Sequence, residues 1–333
     1  MSADYGYINA RVRGMKSKLL GAEFYAGALE ATDFRAFLSA LAQSPYVREL
    51  EEAQARYEGL KALDDALSRN FYHAARSILN FSDGKPHKLI SLLLLRYDLN
   101  NIKAIARAQH AGRSVEEAQE VFFPAGELKP VVLENAASAP DMTAAAQALS
   151  ASPLKSAFLK AAQAYQTDGD LYQLELALDK AYFKILFDLL DTVDAPDDFE
   201  SYIRLEVDAT NLRTALKLQG SERASDLYIP GGKQISRAIF DAIVADGSGA
   251  LQNLANTRFA AVAETDSLAA ADNIIREVLT RAARRLASDP LDIGVVAYYL
   301  RLKESETAKL RLIGRAKYYG VPRTTLEREL GDA

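Results

Sequence analysis

One short string returns three times along this chain. Arg96-Tyr-Asp98-Leu-Asn-Asn101-Ile102-Lys103 reappears as Glu206-Val-Asp208-Ala-Thr-Asn211-Leu212-Arg213 and, more faintly, as Glu304-Ser-Glu306-Thr-Ala-Lys309-Leu310-Arg311. The shared pattern is acid, two residues, polar, aliphatic, base. A repeat of this kind decides architecture before any motif does, because each copy must build the same local structure. Three further landmarks keep their order around the string. Leu41-x-x-Ser44-Pro45 is matched by Leu149-x-x-Ser152-Pro153 and Leu254-x-x-Thr257-Arg258. Serine followed by proline reads as a helix N-cap with proline at the first helical position. Leu63-Asp64, Leu178-Asp179 and Ala271-Asp272 come next, and then Asp83-Gly-Lys-Pro86, Asp194-Ala-Pro196 and Asp289-Pro290 mark another helix start.

Each unit is roughly 105 to 110 residues, too long for a solenoid of short repeats. Three small helical domains follow as the expectation, over residues 1–115, 116–222 and 223–333. Set about a common axis they would have pseudo-threefold symmetry and a central hollow; set in a row they would not, and spacing alone leaves both arrangements open. The class is all-α. In the last helix of each unit the apolar residues step by three and four, as Leu92, Leu95, Leu99, Ile102 and Ala106, then Tyr202, Leu205, Ala209, Leu212 and Leu216. That is a core-facing stripe. The third copy puts Leu300, Lys303, Thr307, Leu310 and Gly314 at those steps, so its helix is expected to be shifted, frayed or packed differently.

Composition removes several functions. The 333 residues contain no cysteine, which excludes disulfides, thiolate metal sites and cysteine nucleophiles. The formal charge is −5, with acids and bases interspersed, so there is no nucleic-acid footprint. The longest apolar run, Leu89 to Leu95, falls far short of the ~20 residues of a membrane span. The charged stretch Met1 to Lys18 has no apolar core and predicts no signal peptide. His73, His87 and His110 are not at metal-ligand spacing. Pro230-Gly231-Gly232-Lys233 lacks the spacing of a phosphate-binding loop and reads as a turn. No cofactor, metal site or small-molecule substrate is expected. The acidic string Asp197, Asp198 and Glu200 could hold magnesium in a helical enzyme, but it coincides with a repeat landmark where acids favour a helix start.

The bases after each acidic landmark, Lys103 and Arg107, Arg213 and Lys217, Arg311 and Arg315, lie four apart on one helix face. They form either a solvated face or, if the three faces converge, a positive surface for a partner.

These segments resemble the C subunit of bacterial and archaeal V/A-type ATPases, the counterpart of the d subunit in eukaryotic vacuolar ATPases. The resemblance is carried by Tyr7-Ile-Asn-Ala-Arg11-Val-Arg13, by Leu92 to Asn101, by Leu205-Glu206-Val-Asp208-Ala-Thr-Asn211-Leu-Arg213 through Gly220, and by Leu310 through Pro322. It implies a non-catalytic, all-helical funnel of three domains, one copy per complex and monomeric when isolated. The tip of the central stalk (D- and F-type subunits) would enter the cavity. The other end would sit on the proteolipid c-ring at the cytoplasmic face of the membrane, with a stator a/I-type subunit as a further neighbour. A generic helical adaptor outside any ATPase is the alternative.

Overall fold

A computed structural model describes residues 5–221 and 224–330. The described residues form sixteen α-helices and three 3-10 segments and no strand, as the all-α expectation required. They fall into two compact units: one of residues 72–195, the other joining residues 5–71 to 196–330. The boundary lies inside α5 (Gly59–Asn80).

In the first unit, α6 (Gly84–His110) packs against α8 (Pro130–Ala137), α9 (Met142–Ala148) and α11 (Leu171–Thr192), while α10 (Lys155–Asp168) packs on α9 and α11. All five residues of the first apolar stripe are buried, as are all five of the second on α12 (Asp197–Lys217). Burial of each Leu or Ile side chain contributes about 1.5–3 kcal/mol, which is what holds these helices down.

The second unit includes two hydrophobic clusters. One gathers Leu205, Leu212 and Leu216 of α12 with Phe240 and Ile243 of α13 (Arg237–Asp246), Phe259, and Ile275 and Leu279 of α14 (Leu268–Leu286). The other joins the two ends of the chain: Leu310 and Ile313 of α15 (Gly294–Tyr319) pack with Phe37 of α3 (Phe34–Leu41), Leu50 of α4 (Val47–Gln54) and Leu63 and Leu67 of α5. Thus α6 packs on helices that follow it, α12 does the same, and α15 packs on helices from the beginning of the chain.

The Ser-Pro landmarks behave alike but are not helix caps. The hydroxyls of Ser44, Ser152 and Thr257 accept the backbone N–H two residues on, from Tyr46, Leu154 and Phe259, at 3.2, 3.2 and 3.1 Å. The N–H of each hydroxyl residue is itself bonded to the Leu41, Leu149 or Leu254 carbonyl. This is a side-chain turn that competes with the helix and precedes it. The helices α4 and α10 begin at Val47 and Lys155, with Tyr46 and Leu154 as their N-caps, so the N-cap assignment is corrected by two residues. What the turn achieves is burial of Tyr46, Leu154 and Phe259, none of them more than 1% exposed.

The third stripe is neither shifted nor frayed. α15 is continuous, and Lys303 and Thr307 point inward like their apolar counterparts. The difference is one of packing: Lys303 Nζ donates to Glu306 at 2.7 Å and to Tyr46 Oη at 2.8 Å, and Tyr46 Oη donates to Glu306 at 2.7 Å.

Candidate functional site

The repeated bases and the repeated aspartates turn out to be each other's partners. Lys103 of α6 bonds both carboxylate oxygens of Asp179 on α11 at 3.0 and 2.8 Å. Arg213 of α12 bonds Asp272 of α14 at 2.5 Å, and Arg311 of α15 bonds Asp64 of α5 at 2.7 Å. The base of the first copy therefore pairs with the aspartate of the second, that of the second with the third, and that of the third returns to the first.

Of the remaining expected site residues, Arg107 makes a two-pronged pair with Glu175 at 2.6 and 2.6 Å, and Glu175 also lies 3.5 Å from Lys103. Arg315 shares Asp64 with Arg311 at 3.4 Å. Lys217 is exposed and has no ion pair among the described residues. The structure thus brings every one of the six bases except Lys217 to an acid on a packed helix. Counting the groups in these pairs together with Lys217, the α6 set (Lys103, Arg107, Glu175, Asp179) sums to zero. The α12 set (Arg213, Lys217, Arg276, Asp272) sums to +2, and the α15 set (Arg311, Arg315, Asp64) to +1.

Burial alone would raise the Asp272 carboxyl, but the hydrogen bonds and charges of Arg213 and Arg276 outweigh it and hold it below its ordinary value. A carboxyl whose folded value lies below the unfolded one, about 3.9, stabilises fully above that pH and ceases to as the pH falls through the folded value. On acidification below about pH 4 the urea midpoint of the wild type is expected to fall more steeply than that of Asp272→Asn. Parallel pH profiles for the two proteins would show that this pair contributes nothing.

A second device, which the spacing of acid and polar residue did not disclose, clamps the loop after each long helix. Asp98 accepts the N–H groups of Glu127 and Leu128 at 3.0 and 3.1 Å, while Asn101 exchanges two bonds with the backbone of Phe123 at 2.9 and 2.7 Å. Asp208 accepts three N–H groups, from Lys233, Gln234 and Ile235, at 2.9, 2.9 and 2.8 Å, and Asn211 exchanges two with Ile229 at 2.7 and 2.9 Å. All four side chains are at most 1% exposed. The loops approach so closely that a Cβ at Gly126 or Gly232 would fall on the Asp98 or Asp208 carboxylate. An apolar-Pro-x-Gly string, Phe123-Pro-Ala-Gly126 and Ile229-Pro-Gly-Gly232, was the available signal. The segment at Pro230 is therefore more than a turn: its amides do surround an anion, the chain's own Asp208. Burial pushes the Asp98 carboxyl up to about 7, against the two backbone bonds that favour its anion.

In the third copy Glu306 replaces the aspartate and accepts the N–H of Leu20 at 2.6 Å, so the clamped loop comes from the start of the chain. Lys303 is lowered by burial, opposed by the charge and hydrogen bond of Glu306.

The other candidate chemistry is local structure. Asp197, Asp198 and Glu200 occupy the first turn of α12, with Glu200 bonded to Arg204 at 2.7 Å. Among the described residues no group of three or more His, Asp or Glu side chains is placed to hold a metal. His87 bridges Ser82 at 3.0 Å and Glu127 at 3.0 Å, and His110 meets the Tyr165 hydroxyl at 2.6 Å. No described helix is long and apolar enough to cross a membrane.

Set against known proteins, the chain is 36% identical to a V-type ATP synthase C subunit of Deinococcus radiodurans, over 99% of this chain and 92% of that one. It is 34% identical to the V-type ATP synthase C subunit of Thermus thermophilus, over 99% of each. To an A-type ATP synthase C subunit of Haloferax volcanii it is 26% identical over 97% of this chain and 96% of the other. The family model for the ATP synthase (C/AC39) subunit matches residues 8–329, which takes in every clamp and ion pair described above. This chain belongs to the ATP synthase (C/AC39) subunit family.

Proposed function

We propose that the chain couples the central stalk of a V/A-type ATP synthase to its membrane proteolipid ring and transmits torque between them. The C subunit is a non-catalytic structural part, and catalysis lies on other subunits. The observation that carries the coupling reading is the family match across nearly the whole chain. The threefold recurrence of turn and ion pair supports it, because a repeated body is suited to surround a shaft.

On this reading the spans 1–115, 116–222 and 223–333 are three related domains about one axis, forming a funnel. The D- and F-type stalk subunits occupy its cavity, the c-ring meets its membrane end, and the a/I-type stator subunit lies nearby. The protein sits on the cytoplasmic face, one copy per complex, and is monomeric when isolated. Torque transmission needs stiffness, and close-packed helical interiors have low compressibility. The bases Lys103, Arg107, Arg213, Lys217, Arg311 and Arg315 serve on the partner-facing surface, with Lys217 as the charge that no acid among the described residues neutralises.

Binding of the isolated chain to recombinant central-stalk subunits of the same organism tests the proposal. Lys217→Glu is expected to weaken that binding about tenfold and to make it less sensitive to salt, since a rim charge acts through long-range attraction. Absence of wild-type binding to the stalk would refute the coupling role.

A further inference from the structure

A cavity of about 300 Å³ lies between α12, the loop clamped by Asp208, the Thr257 turn and the end of α14. Four cations line it, Arg204, Lys233, Arg258 and Arg285, against two carboxylates, Asp198 and Asp208, which leaves +2. Two of these charges are already engaged. Arg204 bonds Glu200 and the Gly231 carbonyl at 2.7 and 2.7 Å, and Asp208 holds its three backbone N–H groups. Among the described residues the side chains of Ser201, Lys233, Arg258 and Arg285 have neither hydrogen bond nor ion pair.

The two clamped loops differ in the charge they carry at one equivalent position. Lys233 and Glu127 are equivalent: each follows the close-approach glycine, and each gives its N–H to the Oδ2 atom of the clamping aspartate. Ser201 and Ser91 are equivalent too, each seven residues before that aspartate. In the first loop Glu127 supplies a carboxylate that is bonded by Ser91 Oγ and by His87 Nε2. In the second loop the charge is inverted, so the hydroxyl and the cations face a gap where the first loop has its own anion. The wall is also held in place. Gln234, whose N–H is held by Asp208, accepts the N–H of Arg258 at 3.0 Å, so one buried carboxylate fixes the backbone at both Lys233 and Arg258, whose side chains are exposed.

We propose that this cavity binds a phosphate group, as inorganic phosphate or on a small phosphorylated molecule, through Lys233, Arg258, Arg285 and the Ser201 hydroxyl. Three cations and a hydroxyl donor exceed what one carboxylate satisfies and suit a tetrahedral dianion, for which arginine forks give strong charge-assisted bonds. The volume is at the small end for ligand sites and does not admit a helix.

Calorimetric titration of the full chain with inorganic phosphate, and separately with ADP, tests this against sodium chloride at matched ionic strength. The wild type is expected to bind at one site. Arg258→Ala and Arg285→Ala each weaken binding about tenfold or more, the loss of one charge-assisted bond. Lys233→Glu keeps the backbone bond to Asp208, reproduces the arrangement of the first loop and abolishes binding, with an unchanged urea midpoint in phosphate-free buffer. Tighter binding of ADP identifies a phosphorylated nucleoside, and equal or weaker binding the free ion; both uphold the site. Heat no greater than that of chloride, binding that survives both arginine changes, or occupancy by an acidic peptide that phosphate does not displace overturns it.

Discussion

Asp208→Ala is expected to lower the free energy of unfolding by about 3–5 kcal/mol, among the largest single-residue losses in the chain. The alanine removes the acceptor of three backbone N–H groups at once. A buried donor left without a partner costs about 1–3 kcal/mol. Ile235 is fully buried and stays orphaned, whereas Lys233 and Gln234 open on the neighbouring cavity, where water replaces part of the loss. Asp98→Ala should cost less, about 1–3 kcal/mol, because it orphans two donors and its carboxylate already carries a burial penalty. Urea denaturation of the three proteins at neutral pH checks the ordering. A loss at Asp208 below about 1 kcal/mol, or the reverse order, would mean that the loops hold themselves without the clamp.

The second large effect is expected at Lys303. It occupies the stripe position that Leu95 and Leu205 fill in the other copies, so Lys303→Leu restores the apolar pattern and yet should destabilise by about 3–5 kcal/mol. The reason is Glu306, which is 3% exposed and would be left as a buried carboxylate without its cation. Adding Glu306→Gln to Lys303→Leu should recover most of the loss. The neutral amide still accepts from Leu20 N–H, and no unpaired charge remains. A double variant as unstable as the single one would show that the pair is needed for its geometry and not merely for mutual neutralisation.

Much of this was legible along the chain. The apolar stripes at Leu92 to Ala106 and Tyr202 to Leu216 identified the buried faces of α6 and α12 because helical period is a local property. The Ser-Pro landmarks read as helix starts, and the helices begin two residues later behind a side-chain turn, since the same hydroxyl can cap a helix or fold back onto the N–H two residues on. The polar third stripe has no local explanation, because Lys303 is tolerable inside only with Tyr46 and Glu306 beside it, and Tyr46 is 257 positions away.

The order of residues along the chain discloses three copies of the string, the helical period around each, and the aspartate and base that recur with it. It does not disclose that Lys103, Arg213 and Arg311 each serve the aspartate of the next copy, with the last returning to the first; that emerges on folding. Those pairs are separated by 76, 59 and 247 residues, far beyond the reach of any local pattern. Spacing constrains which residues share a helix face. Which faces meet is settled by packing, and packing alone brings a charge at one end of the chain to its counter-charge at the other.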